Sequence, residues 1–276
     1  MAQQTARMAQ PTAGNMSEPL VRVSDLHVKF GSGAHSTHAL KGVSLQIESG
    51  KSLGLVGESG SGKSTLAKAM VGITPISSGQ VMVAGHEVGS KSLRGQRDRR
   101  KLIQVIPQDP YSSLSPRRTA GEALAEALDP VRADVRRNRD EIAAWLEKVE
   151  LPADSMRRYP YQFSGGQRQR IAIARALCIR PLVVIADEIT SALDVSVQVE
   201  VLELLAELRT ELNLTMLFIS HNLAVVRHVC DDVAVLFRGE MAEIGEIEQV
   251  FTAPRAEYTR ALLASVPGSP GFMIRN

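Results

Sequence analysis

Gly57-Glu58-Ser59-Gly60-Ser61-Gly62-Lys63-Ser64-Thr65 is the stretch whose reading decides the fold. It satisfies the spacing G-x-x-x-x-G-K-[ST], in which glycines let the backbone wrap a phosphate with its N–H groups turned inward. A helix opening at the loop's end presents its positive terminus to the same anion. Lys63 is placed to reach the β- and γ-phosphates of a nucleotide, and the Ser64 hydroxyl to ligate magnesium. Gly57, Ser59, Gly60, Ser61, Gly62 and Thr65 complete the expected cradle. A flexible Gly/Ser turn is the plain alternative, and the flanks argue against it. Leu53-Gly54-Leu55-Val56 reads as a short buried strand and Leu66 to Val71 as a helix.

A second nucleotide element follows at Leu182-Val183-Val184-Ile185-Ala186-Asp187-Glu188, where an apolar run ends in two carboxylates. Continuous apolar strands belong inside parallel sheets covered on both faces, and the C-terminal ends of such strands are where ligands sit. Asp187 is the expected magnesium-side carboxylate, acting through the ion's water shell. Glu188 is the expected group that polarises the attacking water, since phosphoryl transfer needs positioning and charge neutralisation more than covalent chemistry. Acidic pairs after strands are common; the upstream loop is what gives this one a chemical meaning.

The third element is Phe163-Ser164-Gly165-Gly166-Gln167, which opens a helix rich in Ala and Ile. Ser164 and Gln167 have the spacing of a capping box. An ordinary cap seldom carries two glycines in the first turn, because each costs up to about 1 kcal/mol in a helix relative to alanine. The sequence therefore predicts close approach to the backbone at Gly165 and Gly166, with the helix dipole aimed at negative charge such as a γ-phosphate.

Taken together, these residues resemble the ATP-binding cassette (ABC) ATPases, over roughly residues 20 to 268. The resemblance rests on the signature-type run at Phe163 to Gln167, the Gln-Arg-Gln-Arg that it leads into, and the order of the other landmarks. It implies ATP and magnesium as ligands, and a head-to-tail dimer with a second cassette, identical or different. In that dimer Ser164, Gly165, Gly166 and Gln167 of one copy face the nucleotide held by Lys63 of the other. Gln108 resembles the glutamine that links magnesium and water to the helical subdomain, Asp194 lies in a run like the family's D-loop, and His221 resembles the switch histidine at the γ-phosphate. Phe30 resembles the aromatic that stacks on adenine, although aromatic residues also end strands for packing reasons.

Three positions depart from the family pattern. Ile189 stands where proline is usual, Asn222 follows His221 in place of aspartate, and Pro107 precedes Gln108. Ile189 restores a backbone N–H and frees φ, so it bears on where Glu188 is placed; a nonhydrolytic regulatory cassette is the alternative it raises. Gln108-Asp109-Pro110-Tyr111-Ser112-Ser113-Leu114-Ser115-Pro116-Arg117, with the tail Tyr258 to Pro267, looks like the ATPase subunits of dipeptide and oligopeptide permeases. That group implies two transmembrane permease subunits, an external solute-binding protein, and a peripheral place on the cytoplasmic face of the inner membrane. Related importers carry nickel or oligosaccharides. A soluble cassette of translation or DNA repair would show tandem cassettes or a long coiled coil between its nucleotide motifs, and neither is present.

The fold class expected is α/β: a P-loop NTPase, RecA-like core sheet with an antiparallel β subdomain and an inserted α-helical signature subdomain. Residues 1–17 read as a disordered lead, 18–268 as the cassette with its helical subdomain at 108–165 and a family-type C-terminal segment at 240–268, and 269–276 as a tail. Alternation from Leu20 to Gln46 predicts antiparallel strands around a loop at Gly31 to Thr37, and Gln80 to Ala84 another strand. Ile142, Trp145, Leu146 and Val149 share one helical face, as do Val201, Leu204, Leu205, Leu208 and Leu212. With 276 residues and 44% hydrophobic content the chain can bury a large core around its single loop and single signature. A net charge of +2 gives no general footprint for nucleic acid. The basic clusters Arg94 to Lys101 and Arg132 to Arg139 are interrupted by Asp98 and Asp134, and read as solvated surface or, alternatively, contacts to phospholipid or a membrane partner. Cys178 and Cys230 lack ligand spacing, consistent with a reduced compartment, and no apolar run is long enough to span a bilayer.

Overall fold

The computed structural model describes residues 19–31, 36–88, 101–109 and 113–265. The expected lead at 1–17, the tail at 269–276, the arginines 94, 97, 99 and 100, and Tyr111 lie outside them.

Two sheets organise the chain. The first is antiparallel, with β1 (Val21–Phe30), β2 (Thr37–Ile47), β4 (Ser78–Val83) and β5 (His86–Glu87) in the order β2-β1-β4-β5. The predicted loop is one residue shorter than expected, because Thr37 already pairs with Phe30 as the first residue of β2. The second sheet holds β3 (Ser52–Val56), β6 (Ile103–Ile106), β7 (Val183–Asp187), β8 (Thr215–Ile219), β9 (Asp232–Phe237) and β10 (Glu240–Glu246). Its order is β10-β9-β3-β8-β7-β6. The five strands from β9 to β6 run parallel, and β10 turns back antiparallel to β9.

Period-2 alternation sorts the central strands between two cores. Leu53, Leu55, Val183, Ile185, Leu217 and Ile219 point toward the antiparallel sheet and α1 (Lys63–Met70). Val184, Ala186, Met216 and Phe218 point the other way, into a core shared with the helices. Both faces are covered, which is why these strands read as unbroken apolar runs.

Between β6 and β7 the chain leaves the sheet. It forms α2 (Ala120–Leu128), α3 (Arg139–Lys148), two short 3-10 turns (Ala153–Arg157 and Pro160–Gln162) and α4 (Gly165–Leu177). The predicted face of Ile142, Trp145, Leu146 and Val149 is buried. A capping box at Thr119, with Glu122 returning to its N–H at 2.7 Å, starts α2. Arg132, Arg136 and Arg137 sit in exposed turns organised by Asp129 and Asp134. After β7 come α5 (Val195–Leu212), α6 (Leu223–Val229), α7 (Ile247–Thr252) and α8 (Glu257–Ala264). The predicted α5 stripe is buried except at Leu212, which is half-buried near the helix end. Among the described residues no helix is long and apolar enough to cross a membrane.

Candidate functional site

The glycine loop leaves the end of β3 and enters α1. Gly57 has φ of 148°, and a Cβ there would stand 2.1 Å from the Leu236 carbonyl oxygen, so only glycine allows β9 so close. Gly60 and Gly62 have φ of 78° and 113° and carry the turn. Ser59, Gly60 and Ser64 are exposed, Gly62 and Thr65 half-buried, and Ser61 buried. Lys63 is the first residue of α1, earlier than the Leu66 start that the sequence suggested. Its side chain is buried and curls back over the loop, donating to the carbonyls of Gly57 at 2.7 Å and Glu58 at 2.8 Å. Burial pulls its pKa down, against the opposing pull of Glu188, Asp187 and Glu58.

β6, β7 and β8 are neighbours in the sheet, and each delivers one predicted residue from its C-terminal end. Gln108 follows β6, Glu188 follows β7 and His221 follows β8. They converge on a single oxygen: Gln108 Nε2 donates to Glu188 Oε2 at 3.1 Å, and His221 Nδ1 lies 3.6 Å from the same atom. Ser191, which the sequence did not mark as a site residue, joins them. It accepts from Gln108 at 3.4 Å and donates to the Glu188 carbonyl at 3.0 Å. Asp187 ends β7 beside them, and burial together with the adjoining Glu188 raises its carboxyl above the ordinary range. Hydroxyl, amide and carboxylate oxygens on Ser64, Gln108 and Asp187 are the donor chemistry of a hard divalent cation. A half-buried carboxylate beside a second one also suits a cation's arrival.

Two departures find their physical account here. Glu188 sits in the left-handed region with φ of 48°, and Ile189 follows it with the backbone N–H and free φ that a proline would lack. The Ile189 side chain is itself buried in the helix-side core. Asn222 caps α6 by accepting from the N–H groups of Ala224 at 3.1 Å and Val225 at 3.4 Å, a task aspartate and asparagine perform alike.

Ser164 begins α4 with the predicted capping box: its hydroxyl accepts from Gln167 N–H at 3.3 Å, and Gln167 Oε1 accepts from Ser164 N–H at 3.1 Å. Gly166 is a place of close approach, but the neighbour seen is internal. A Cβ there would stand 2.3 Å from Val197 Cγ1 on α5. Asp194 caps α5 by accepting from Val197 N–H at 3.0 Å, so the D-loop-like residue also fixes this contact. Arg170, nearly buried, spans from Glu150 to Glu200 and ties α4 to α5. With Ser164, Gly166 and Gln167 these residues line a shallow hollow of about 280 Å³. Phe30 stands 46% exposed at the end of β1.

Residues 40–191 match the ABC transporter family. The chain is 46% identical over 257 residues to the di/tripeptide transport ATP-binding protein DppF of Pseudomonas aeruginosa, covering 91% of this chain and 80% of that protein. It is 44% identical over 255 residues to the oligopeptide transport ATP-binding protein AmiF of Streptococcus pneumoniae, covering 91% and 83% respectively. A dimeric post-hydrolysis state of the ATP-binding cassette MJ0796, bound to ADP and Pi, shares the fold. Its TM-score is 0.73 at 28% identity, covering 82% of this chain and 98% of that one. CbiO1 of Clostridium perfringens, part of the transporter complex CbiONQ, gives the same TM-score and identity over 86% of this chain and 92% of its own. The chain therefore belongs to the ABC transporter family of ATPases and groups there with the ATP-binding subunits of peptide permeases.

Proposed function

We propose that this chain is the ATP-hydrolysing subunit of a bacterial peptide importer, working as one half of a cassette pair docked on two membrane permeases. The observation that carries the hydrolytic reading is the convergence of Gln108 and His221 on one oxygen of Glu188, at the mouth of the sheet beside the glycine loop. Lys63 and the loop N–H groups hold the phosphates, and Phe30 stacks on the base. Glu188 orients and polarises the attacking water, and His221 and Gln108 fix its carboxylate. Ser64, Asp187 and Gln108 would hold Mg²⁺, which neutralises phosphate charge when bound. Ser164, Gly165, Gly166 and Gln167, with Asp194 behind them, present the α4 tip to the nucleotide of the paired cassette. Support for pairing comes from a related cassette solved as a dimer. Residues 108–165 act as the helical subdomain of an 18–268 cassette, and 240–268 as its C-terminal segment. Location on the cytoplasmic face of the membrane, and supply of cargo by an external solute-binding protein, complete the reading.

The decisive experiment reconstitutes the chain with its permeases and binding protein and follows dipeptide uptake together with phosphate release. Lys63→Ala should stop both. Uptake that continues in Lys63→Ala while the paired cassette hydrolyses normally would make this chain a regulatory module instead.

A further inference from the structure

The glycine loop is held from outside by β9, by the β9–β10 turn and by α8. Leu236 presses its carbonyl against Gly57. Gly239, in the turn between β9 and β10, donates its N–H to the Ser61 carbonyl at 2.8 Å. The third hold comes from α8: the Tyr258 hydroxyl accepts the N–H of Glu58 at 3.1 Å.

That last bond has a specific partner across the peptide plane. The Glu58 N–H and the Gly57 carbonyl belong to one planar unit, and the Gly57 carbonyl accepts from Lys63 Nζ at 2.7 Å. Tyr258 therefore fixes, from one side, the peptide on which the loop lysine rests from the other. The ring is set by tilted packing on Phe237, with centroids 4.0 Å apart and planes 31° from parallel. The start of α8 is set by Glu243 of β10, whose carboxylate accepts from Arg255 N–H at 2.9 Å and Ala256 N–H at 3.0 Å. Burial pushes the Glu243 carboxyl up, but these backbone donors outweigh it and hold it below the ordinary range, so it stays ionised as an acceptor.

We propose that Tyr258 is a positioning residue for the nucleotide cradle, and that the run from Glu243 through α8 tunes ATP affinity by holding the Gly57–Glu58 peptide. This rests on the reading of Gly57 to Thr65 as that cradle. The segment is thereby a route by which anything that shifts α8 alters nucleotide binding.

The test uses purified full-length protein, with ATP titrated in steady-state hydrolysis and a fluorescent ATP analogue in equilibrium binding. Tyr258→Phe keeps the ring on Phe237 and removes only the acceptor. KM for ATP and the analogue's Kd should rise about two- to tenfold, the usual range for losing one such hydrogen bond, while kcat stays near wild type and Tm falls by only a few degrees. Glu243→Gln should raise KM in the same sense, and the double variant should show less than the product of the two effects, because both act through one contact. Wild-type KM and Kd in Tyr258→Phe, or a fall in kcat and Tm with KM unmoved, would overturn the proposal. Lys63→Ala serves as reference: if it bound the analogue as well as wild type, the cradle reading would fall and this inference with it. A wild-type Tyr258→Phe beside an inactive Lys63→Ala would overturn the inference alone.

Discussion

The side-chain amide of Gln108 donates to Glu188 Oε2 across 3.1 Å, joining two positions 80 residues apart in the chain. The bond exists because β6 and β7 pair in parallel, Ile106 beside Ala186, so both strands end at the same level. It ties the strand end that enters the helical insertion to the carboxylate at the sheet's mouth.

Glu188→Gln keeps size and hydrogen bonding but loses the charge that the proposed mechanism uses to polarise water. Phosphate release should fall about a hundredfold or more, as for loss of a positioned base, while ATP binding is retained. Single-turnover phosphate assays beside equilibrium nucleotide binding measure both, and a variant that hydrolyses at the normal rate would remove Glu188 from its role.

Gly166 separates packing from ligand approach. A Cβ 2.3 Å from Val197 must push α4 off α5, and such overpacking costs about 1–3 kcal/mol. This outweighs the gain in helix propensity, at most about 1 kcal/mol. Gly166→Ala should therefore lower the urea midpoint, and adding Val197→Ala should restore much of it. ATPase activity should stay depressed in the double variant if the paired nucleotide also meets this backbone. Full recovery of activity together with stability would leave packing as the glycine's whole purpose.

Ile189 is packed as a core residue, 1% exposed. Ile189→Ala should destabilise the chain by about 2 to 4 kcal/mol through lost burial and a cavity, read by equilibrium denaturation. Because Ile189 adjoins Glu188, hydrolysis should slow as well, with ATP affinity less affected.

A pH-dependent contribution comes from Asp231, far from the nucleotide loop's chemistry. Burial alone would raise its carboxyl, but the Ser52 N–H at 2.7 Å, the Ser52 hydroxyl at 2.9 Å and the Arg209 guanidinium hold it below the ordinary range. A depressed folded-state pKa means stability that is fully present above the unfolded value of about 3.9 and lost as pH falls through the folded one. Asp231→Asn should cost about 1 to 3 kcal/mol at neutral pH, in the range of charged hydrogen bonds. The gap from wild type should close on acidification below that value. An equal gap at both pH extremes would show that the bonds, not the charge, matter.

Much of this protein was legible in its residues. The loop from Gly57 to Thr65, the apolar run into Asp187 and Glu188, and the Ser164 cap are local patterns, and local sterics and hydrogen bonding enforce them wherever they occur. The stripes on α3 and α5 were legible for the same reason, since 3.6-residue periodicity is written directly in the chain. Residues whose roles depend on distant partners were harder to find. Ser191 lies in the run like the family's D-loop and Tyr258 heads the permease-like tail, but neither pattern marks them as site residues. Their hydroxyls matter only because β7 and α8 bring them to Glu188 and Glu58.

The chain's order of residues thus determined that a phosphate loop, a carboxylate pair and a glycine-led helix would form, because each is closed by contacts within a few positions. Tertiary structure alone decided that Gln108, Glu188 and His221 share one oxygen, that Val197 fills the space beside Gly166, and that Tyr258 braces the loop. Those relationships depend on parallel strand register and helix packing across tens to hundreds of residues, where hydrophobic burial sets the geometry without leaving a spacing to read.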